Sequence, residues 1–330
     1  MVLTEPADLD RAELAAAVER HWALGGLRLD YLPVGFGSHH WRAGEWFITV
    51  DDLSAGHQPG PDPDASFEAL DRAYRTAAVL RDDAGLDFVV APVADSEGAV
   101  IRRLRDRYAV TVFPFVAGES SEWGPYESGD ERRTMSAILA RLHAATEQLP
   151  NGLPRVEGFA LPARDGFEDA LSDLDRAWTT GPFAERTRHL LRETGSGLEH
   201  LVRDYDALAD DVRGRSDGWV ITHGEPHRAN VIRSPGRNRH LVDWDTTLLA
   251  PRERDLHMVL DDDLTGWNEY AADVPAELDE PTLRLYRRWW ELSDITTFVD
   301  LFRRPHSRTE QTATSWEILA DNLGRLINRT

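Results

Sequence analysis

The chain has 330 residues, 41% of them hydrophobic, with no cysteine and a formal net charge of −21 from 58 acidic and 37 basic side chains. That length allows one large domain or two with buried cores, and the missing thiols exclude disulfides, thiolate metal sites and cysteine nucleophiles. The acidic balance opposes a nucleic-acid partner and draws cationic small molecules, though an acidic surface kept for solubility explains it equally well.

Met1 to Leu24 alternates apolar residues with Glu, Asp and Arg, so neither a signal peptide nor a membrane span is expected and the chain reads as cytoplasmic. Gly35, Gly37 and Ser38 mark a turn before an aromatic and β-branched run, Glu45 to Val50, that predicts a strand. A proline and glycine loop from Pro59 to Asp64 precedes a helix over Ser66 to Arg81, with Phe67, Leu70, Tyr74, Ala77 and Ala78 on one face. Strands are expected over Val89 to Val93, Ala99 to Leu104 and Tyr108 to Phe115, ending near Gly118, a candidate hinge. From Glu131 the spacing is helical, with Met135, Ile138, Leu139, Leu142 and Leu149 on a stripe. Short strands interrupt it at Trp219 to Thr222, Asn230 to Arg233 and Leu241 to Asp245, and helical spacing resumes over Thr282 to Phe302 and Ser315 to Ile327.

Every basic side chain is arginine, and no lysine occurs anywhere. This excludes a Walker A loop and a Schiff-base enzyme.

Residues 222 to 232 read Thr-His-Gly-Glu-Pro-His-Arg-Ala-Asn-Val-Ile, and residues 241 to 245 read Leu-Val-Asp-Trp-Asp. Phosphoryl transfer needs a carboxylate to accept the attacking hydroxyl's proton and oxygen ligands that hold Mg2+ against the phosphates. The interval from Glu225 to Asn230 equals that from base to metal-binding Asn in the protein-kinase catalytic loop, and Asp243 follows where a second metal-binding carboxylate belongs. Either fragment alone also reads as a charged surface turn or a strand-end cap; their order and separation favour the chemical reading.

On these residues the sequence resembles the aminoglycoside phosphotransferase family, whose hallmark is His-Gly-Asp-x-His-x-x-Asn followed by Asp-Trp-Asp or a close variant. Leu142 to Thr146 and Arg252 to Leu256 are similar to that family's second-lobe pattern, so the resemblance runs through nearly the whole chain. It implies an α+β, bilobal protein-kinase-like fold, with a small antiparallel-sheet N-lobe over 1–115, a larger mainly helical C-lobe over 116–330 and a hinge at about 113–118. It also implies Glu225 as catalytic base, His223 and Asp255 as residues that fix the loop, and Asn230, Asp243 and, less directly, Asp245 as magnesium ligands. ATP or GTP would lie on the turn of Gly35, Gly37, Ser38, His39 and His40, its base against the backbone of Pro114, Phe115 and Val116. The acceptor would be a small molecule bearing a hydroxyl, a polycation such as an aminoglycoside, against Asp261, Asp262, Asp263, Trp267, Trp289, Trp290 and Glu291. Three adjacent aspartates also read as a solvated turn, and paired tryptophans as core.

The chain departs from the family pattern twice. Glu225 stands where the family has Asp, carrying the carboxylate farther from the backbone by roughly 1.5 Å. The family places a lysine on the third strand, and the matching residue in Trp46-Phe47-Ile48-Thr49-Val50 is Thr49. Arg42, Arg75, His39 and His40 are the candidate replacement cations, with Glu68 as a candidate partner. Three readings follow: an antibiotic kinase, a kinase for a housekeeping sugar or amino alcohol, and a catalytically silent nucleotide-binding protein.

Overall fold

The computed structural model describes residues 4–35, 37–55, 60, 62–215, 217–236 and 238–327, and the expected loop at 59–64 falls partly outside them. The chain separates into two compact units, Met1–Glu157 with Gly218–Glu277, and Gly158–Asp217 with Leu278–Thr330. The expected lobe boundary at about 113–118 is a different cut, lying inside the larger unit.

Helix α1 (Arg11–Trp22) leads into a five-stranded sheet of β1 (Asp30–Leu32), β2 (Ser38–Ala43), β3 (Trp46–Asp52), β4 (Ile101–Leu104) and β5 (Tyr108–Pro114). Its order is β1-β2-β3-β5-β4, and every neighbouring pair is antiparallel. Helix α2 (Pro63–Asp82) lies between β3 and β4 in the chain, capped by Asp62, whose carboxylate accepts the Ala65 N–H at 2.9 Å. Strand alternation divides the sheet's side chains. Trp41, Ile48, Val50, Val110 and Val112 pack with Leu14 and Val18 of α1, while Phe47, Ala109 and Phe113 pack with Leu70 and Tyr74 of α2. Thr49 and Asp51 therefore belong to the α2 side.

The strand expected over Val89 to Val93 is not a ladder. Val89 makes one parallel bridge to Leu241, and Val93 N–H donates to Val112 O at 2.8 Å. Val89, Val90 and Ala91 are buried, so this apolar run fills the core as an extended segment.

Helix α3 (Gly129–Ala144) follows, then β6 (Arg155–Val156). The smaller unit begins with α4 (Arg164–Ser172) and α5 (Ala184–Arg213), and the chain then returns to the larger unit. There β7 (Val220–Thr222), the hairpin β8 (Val231–Arg233) and β9 (Arg239–Leu241), β10 (Leu248–Ala250), α6 (Glu253–Val259) and α7 (Trp267–Asp273) succeed one another. β10 lies between β6, which it meets in parallel, and β7, which it meets antiparallel. Helices α8 (Glu280–Arg303) and α9 (Glu310–Ile327) complete the smaller unit. Among the described residues no helix is long and apolar enough to cross a membrane.

Candidate active site

Strand β7 is buried and paired with β10, so it presents the loop that follows from a fixed edge. The N–H groups of His223 and Gly224 donate to the two oxygens of Asp255 on α6, at 2.9 and 2.6 Å. Asp255 also accepts from His143 Nε2 of α3 at 3.1 Å, and the Tyr270 hydroxyl of α7 donates to His143 Nδ1 at 2.6 Å. All of these side chains are buried. Burial acts to raise the Asp255 carboxyl, but the His143 contact and neighbouring positive charge outweigh it and hold the group below its ordinary value. The ionised carboxylate fixes His143 as the Nε2–H tautomer. His223 in turn donates from Nε2 to Val242 O at 2.9 Å and accepts the Glu225 N–H at Nδ1, so it is neutral, and burial pushes its pKa down to about 4.

Gly224 sits at φ 102°, and any Cβ there would strike the Arg254 guanidinium. That buried guanidinium donates to Thr222 Oγ1 at 2.9 Å and to Thr246 O at 3.0 Å, tying β7 to the loop after β9.

The Glu225 carboxylate, 32% exposed, faces His227 Nε2 at 3.6 Å. Burial acts to raise it, yet the His227 contact more than offsets this and the carboxyl lies below its usual range. Asn230 ends a 3-10 turn and donates from Nδ2 to Glu225 O at 3.0 Å, which leaves Oδ1 as its acceptor. Its backbone oxygen accepts the Val242 N–H at 3.0 Å, drawing the Asp243 to Asp245 turn alongside. Trp244 pins that turn: it is fully buried, donates to Leu241 O at 2.8 Å and meets the His223 ring edge-on at 4.6 Å. Asp243 adopts a left-handed φ of 70°. This conformation costs a non-glycine residue on the order of 1 kcal/mol.

Asp243 is open to solvent by area yet crowded by protein. The crowding, then the charges of Asp245, Glu225 and Asp51, drive its carboxyl well above the ordinary value. Asp245 is raised as well, by burial and then by Glu225, against the pull of Arg155, whose Nη2 donates to Asp245 O at 2.9 Å. Glu225, Asn230, Asp243 and Asp245 are thus brought to one place, with Asp51 of β3 close enough to act on both aspartates. Among the described residues no three histidines or acids converge closely enough to ligate a metal unaided. The set nonetheless fits magnesium, which takes one or two carboxylates and fills its shell with phosphate oxygens and water. The repulsion among these acids is what a divalent cation relieves.

On the sheet, Gly35 and Gly37 take left-handed φ values of 79° and 91° in the turn between β1 and β2. Ser38 donates to Asp51 Oδ1 at 2.6 Å. The adjacent histidines diverge: His39 lies on the α1 side, its Nδ1 3.4 Å from the Tyr31 hydroxyl, whereas His40 stacks on Phe47 at 4.9 Å. Phe115 N–H already donates to Glu45 O at 2.7 Å, so it is not free to face a nucleotide base. Arg42 covers the Phe115 ring at 4.1 Å, Arg75 pairs with Asp71, and Glu68 is exposed, while Tyr74 is among the buried residues of α2, edge-on to Phe113 at 5.6 Å.

Of the acceptor candidates, Asp261 pairs with Arg132 at 3.0 Å, Asp263 accepts the Thr265 N–H at 3.0 Å, Asp262 is exposed, and Trp267 stacks on Tyr270 at 5.5 Å. Trp289 and Glu291 belong to the smaller unit, where Trp289 donates to Ala160 O at 3.0 Å and Glu291 pairs with Arg288. Sequence reasoning passed over His227, Arg254 and Arg155. The first two were findable, one as the second histidine of the motif and one as the neighbour of Asp255; Arg155 carries no local signal.

An antiparallel sheet with a helix on each side, a loop carrying Glu225 and Asn230, and an acidic turn at 243–245 are the architecture of a kinase-like phosphotransferase. Over residues 40–294 the sequence matches the phosphotransferase enzyme family, and the chain belongs to it. It is therefore a small-molecule phosphotransferase. Protein StrN of Streptomyces griseus is 26% identical over 297 residues, 88% of this chain and 85% of that protein. The fold is shared with spectinomycin phosphotransferase APH(9)-Ia, solved with ADP and spectinomycin, at TM-score 0.74 and 15% identity over 97% of this chain and 98% of that one. A microcompartment-associated aminopropanol kinase matches at TM-score 0.60 and 17% identity over 96% of each chain.

Proposed function

We propose that the protein, acting in the cytoplasm, transfers the γ-phosphoryl group of ATP or GTP to a hydroxyl of a small cationic molecule of the aminoglycoside kind. The observation that carries this reading is the convergence of an ionised Glu225 with Asn230, Asp243 and Asp245 on two loops fixed by Asp255 and Arg254. Glu225 takes the hydroxyl's proton as the oxygen attacks the γ-phosphorus in line and the nucleoside diphosphate leaves. Its ionisation, maintained by His227, keeps it ready to accept that proton. Asn230 Oδ1, Asp243 and Asp245 would hold magnesium, which supplies neutralisation of phosphate charge. His223 and Asp255 hold the loop in register. The net charge of −21 and the acids at 261–263 support a cationic acceptor.

The test is phosphate transfer from ATP and GTP across aminoglycosides, amino alcohols and neutral sugars, with Asp243→Ala alongside. Preference for neutral sugars would sink the acceptor class. Full metal-dependent turnover by Asp243→Ala would sink the site.

A further inference from the structure

A bound nucleoside triphosphate brings several negative charges to a face already holding Asp51, Asp243 and Asp245, and the chain has no lysine to meet them. Next to the Ser38–Asp51 pair, the α2 side of the sheet carries a polar rung that crosses three strands. His40 on β2 is the cross-strand partner of Thr49 on β3, and Thr49 is the partner of Thr111 on β5. His40 Nδ1 lies 3.3 Å from Thr49 Oγ1, and the Thr111 hydroxyl, fully buried, has no hydrogen-bond partner among the described residues. The far nitrogen of the imidazole lies beneath the turn: a Cβ placed on Gly35 would meet His40 Nε2 at 2.9 Å. Arg42, on the same side of β2, is committed to the Phe115 ring and to Gly44 O at 3.1 Å.

We infer that His40 takes up a proton when the nucleotide binds, and that its imidazolium, seated between Thr49 and the Gly35 turn, supplies the phosphate-facing cation that this lysine-free chain otherwise lacks. This rests on the nucleotide-dependent function proposed above. The Nδ1 partner suits the change, because a hydroxyl donates to a neutral ring and accepts from a protonated one. Without ligand the ring is neutral: burial, then the His39 charge, pushes its pKa to about 4. The charged or titratable groups on the elements around it are His39 and Arg42 on its own strand, Asp51 on β3, Asp30 on β1 and Tyr74 on α2; the described residues of the turn carry none. Phosphate arriving beneath the turn adds the negative charge that favours the imidazolium.

Binding of MgATP and of MgGTP, without acceptor, would be measured by calorimetry from pH 5.5 to 8.5 in two buffers of different ionisation enthalpy. The wild type should take up close to one proton more than His40→Gln on binding, and its affinity should strengthen with falling pH by up to about tenfold per unit more than the variant's. His40→Gln, which can keep the Thr49 contact, should bind at least about tenfold more weakly at pH 6, with KM rising more than kcat falls. Adding Thr49→Lys to that variant should restore affinity with no dependence on pH in this range. Equal proton uptake and equal KM in wild type and His40→Gln, with turnover intact, would overturn this inference alone. A wild type that neither binds nor turns over nucleotide would overturn the function with it.

Discussion

Replacing Asp255 by Asn removes one charge and almost no volume at the joint that holds the catalytic loop. The carboxylate is fully buried and accepts from His223 N–H at 2.9 Å, Gly224 N–H at 2.6 Å and His143 Nε2–H at 3.1 Å. Hydrogen bonds to a charged group contribute about 1.5–3 kcal/mol each. An asparagine amide accepts through one oxygen only and turns its NH2 toward the remaining donors, so the net loss should be about 3–5 kcal/mol, as for a broken buried pair. Denaturant unfolding followed by tryptophan fluorescence, beside turnover at saturating substrates, reads both consequences. The sign with pH is definite: the folded-state pKa is depressed, so the stabilisation is complete above the unfolded value of about 4 and fades as pH falls through the folded one. The gap between wild type and variant should therefore narrow on acidification below about pH 4. A variant within 1 kcal/mol of wild type at pH 7, with full turnover, would refute the assignment of Asp255 as the fastener of this loop.

Glu225→Gln should lower kcat by about 10²–10⁴-fold while nucleotide affinity, measured by titration, stays near wild type. Gly224→Ala should destabilise by about 2–4 kcal/mol in the same unfolding assay, combining left-handed strain with displacement of Arg254. Asp243→Asn should divide stability from function, raising metal-free stability at pH 8 in the same unfolding assay while abolishing turnover, because it removes one of several repelling carboxylates. Asp51, raised to about 7 by burial, and Asp243 keep protons in the fold that the unfolded chain releases, so their contribution to metal-free stability falls as pH rises from about 4 toward 7. Thermal melts over that range should flatten when magnesium and nucleotide are added together.

The order of the candidate site was legible because it is local. Residues 222–232 and 241–245 each follow a short apolar strand, and the spacing from Glu225 to Asn230 survives folding as one turn. What the residues could not reveal depends on register and on distant partners. His39 and His40 are equivalent in sequence, yet one step of strand alternation sends them to opposite sides of the sheet. Val89 to Val93 reads as a strand because buried extended chain and ladder share a composition, and what separates them is that the pairing with Leu241 stops at a single bridge. Thr49 was findable as the lysine's position, but not that its hydroxyl would meet an imidazole from β2.

The supports and the acids of this site differ in how complete they are without ligand. Asp255, His223, Trp244 and Arg254 have their hydrogen bonds satisfied by the protein, so the two loops are held before anything binds. Asp243, Asp245 and Asp51 are forced together at a cost that shows in their raised carboxyls. A fold selected for stability alone would neutralise one of them, since exchanging a charge for an isosteric amide is a small change. On the proposed function, retaining three leaves the site's charge where a cation bridging protein and phosphate would relieve it. The same reasoning explains Asp243 in a left-handed backbone: the strain is tolerated because Trp244 and Val242, on either side, are anchored independently.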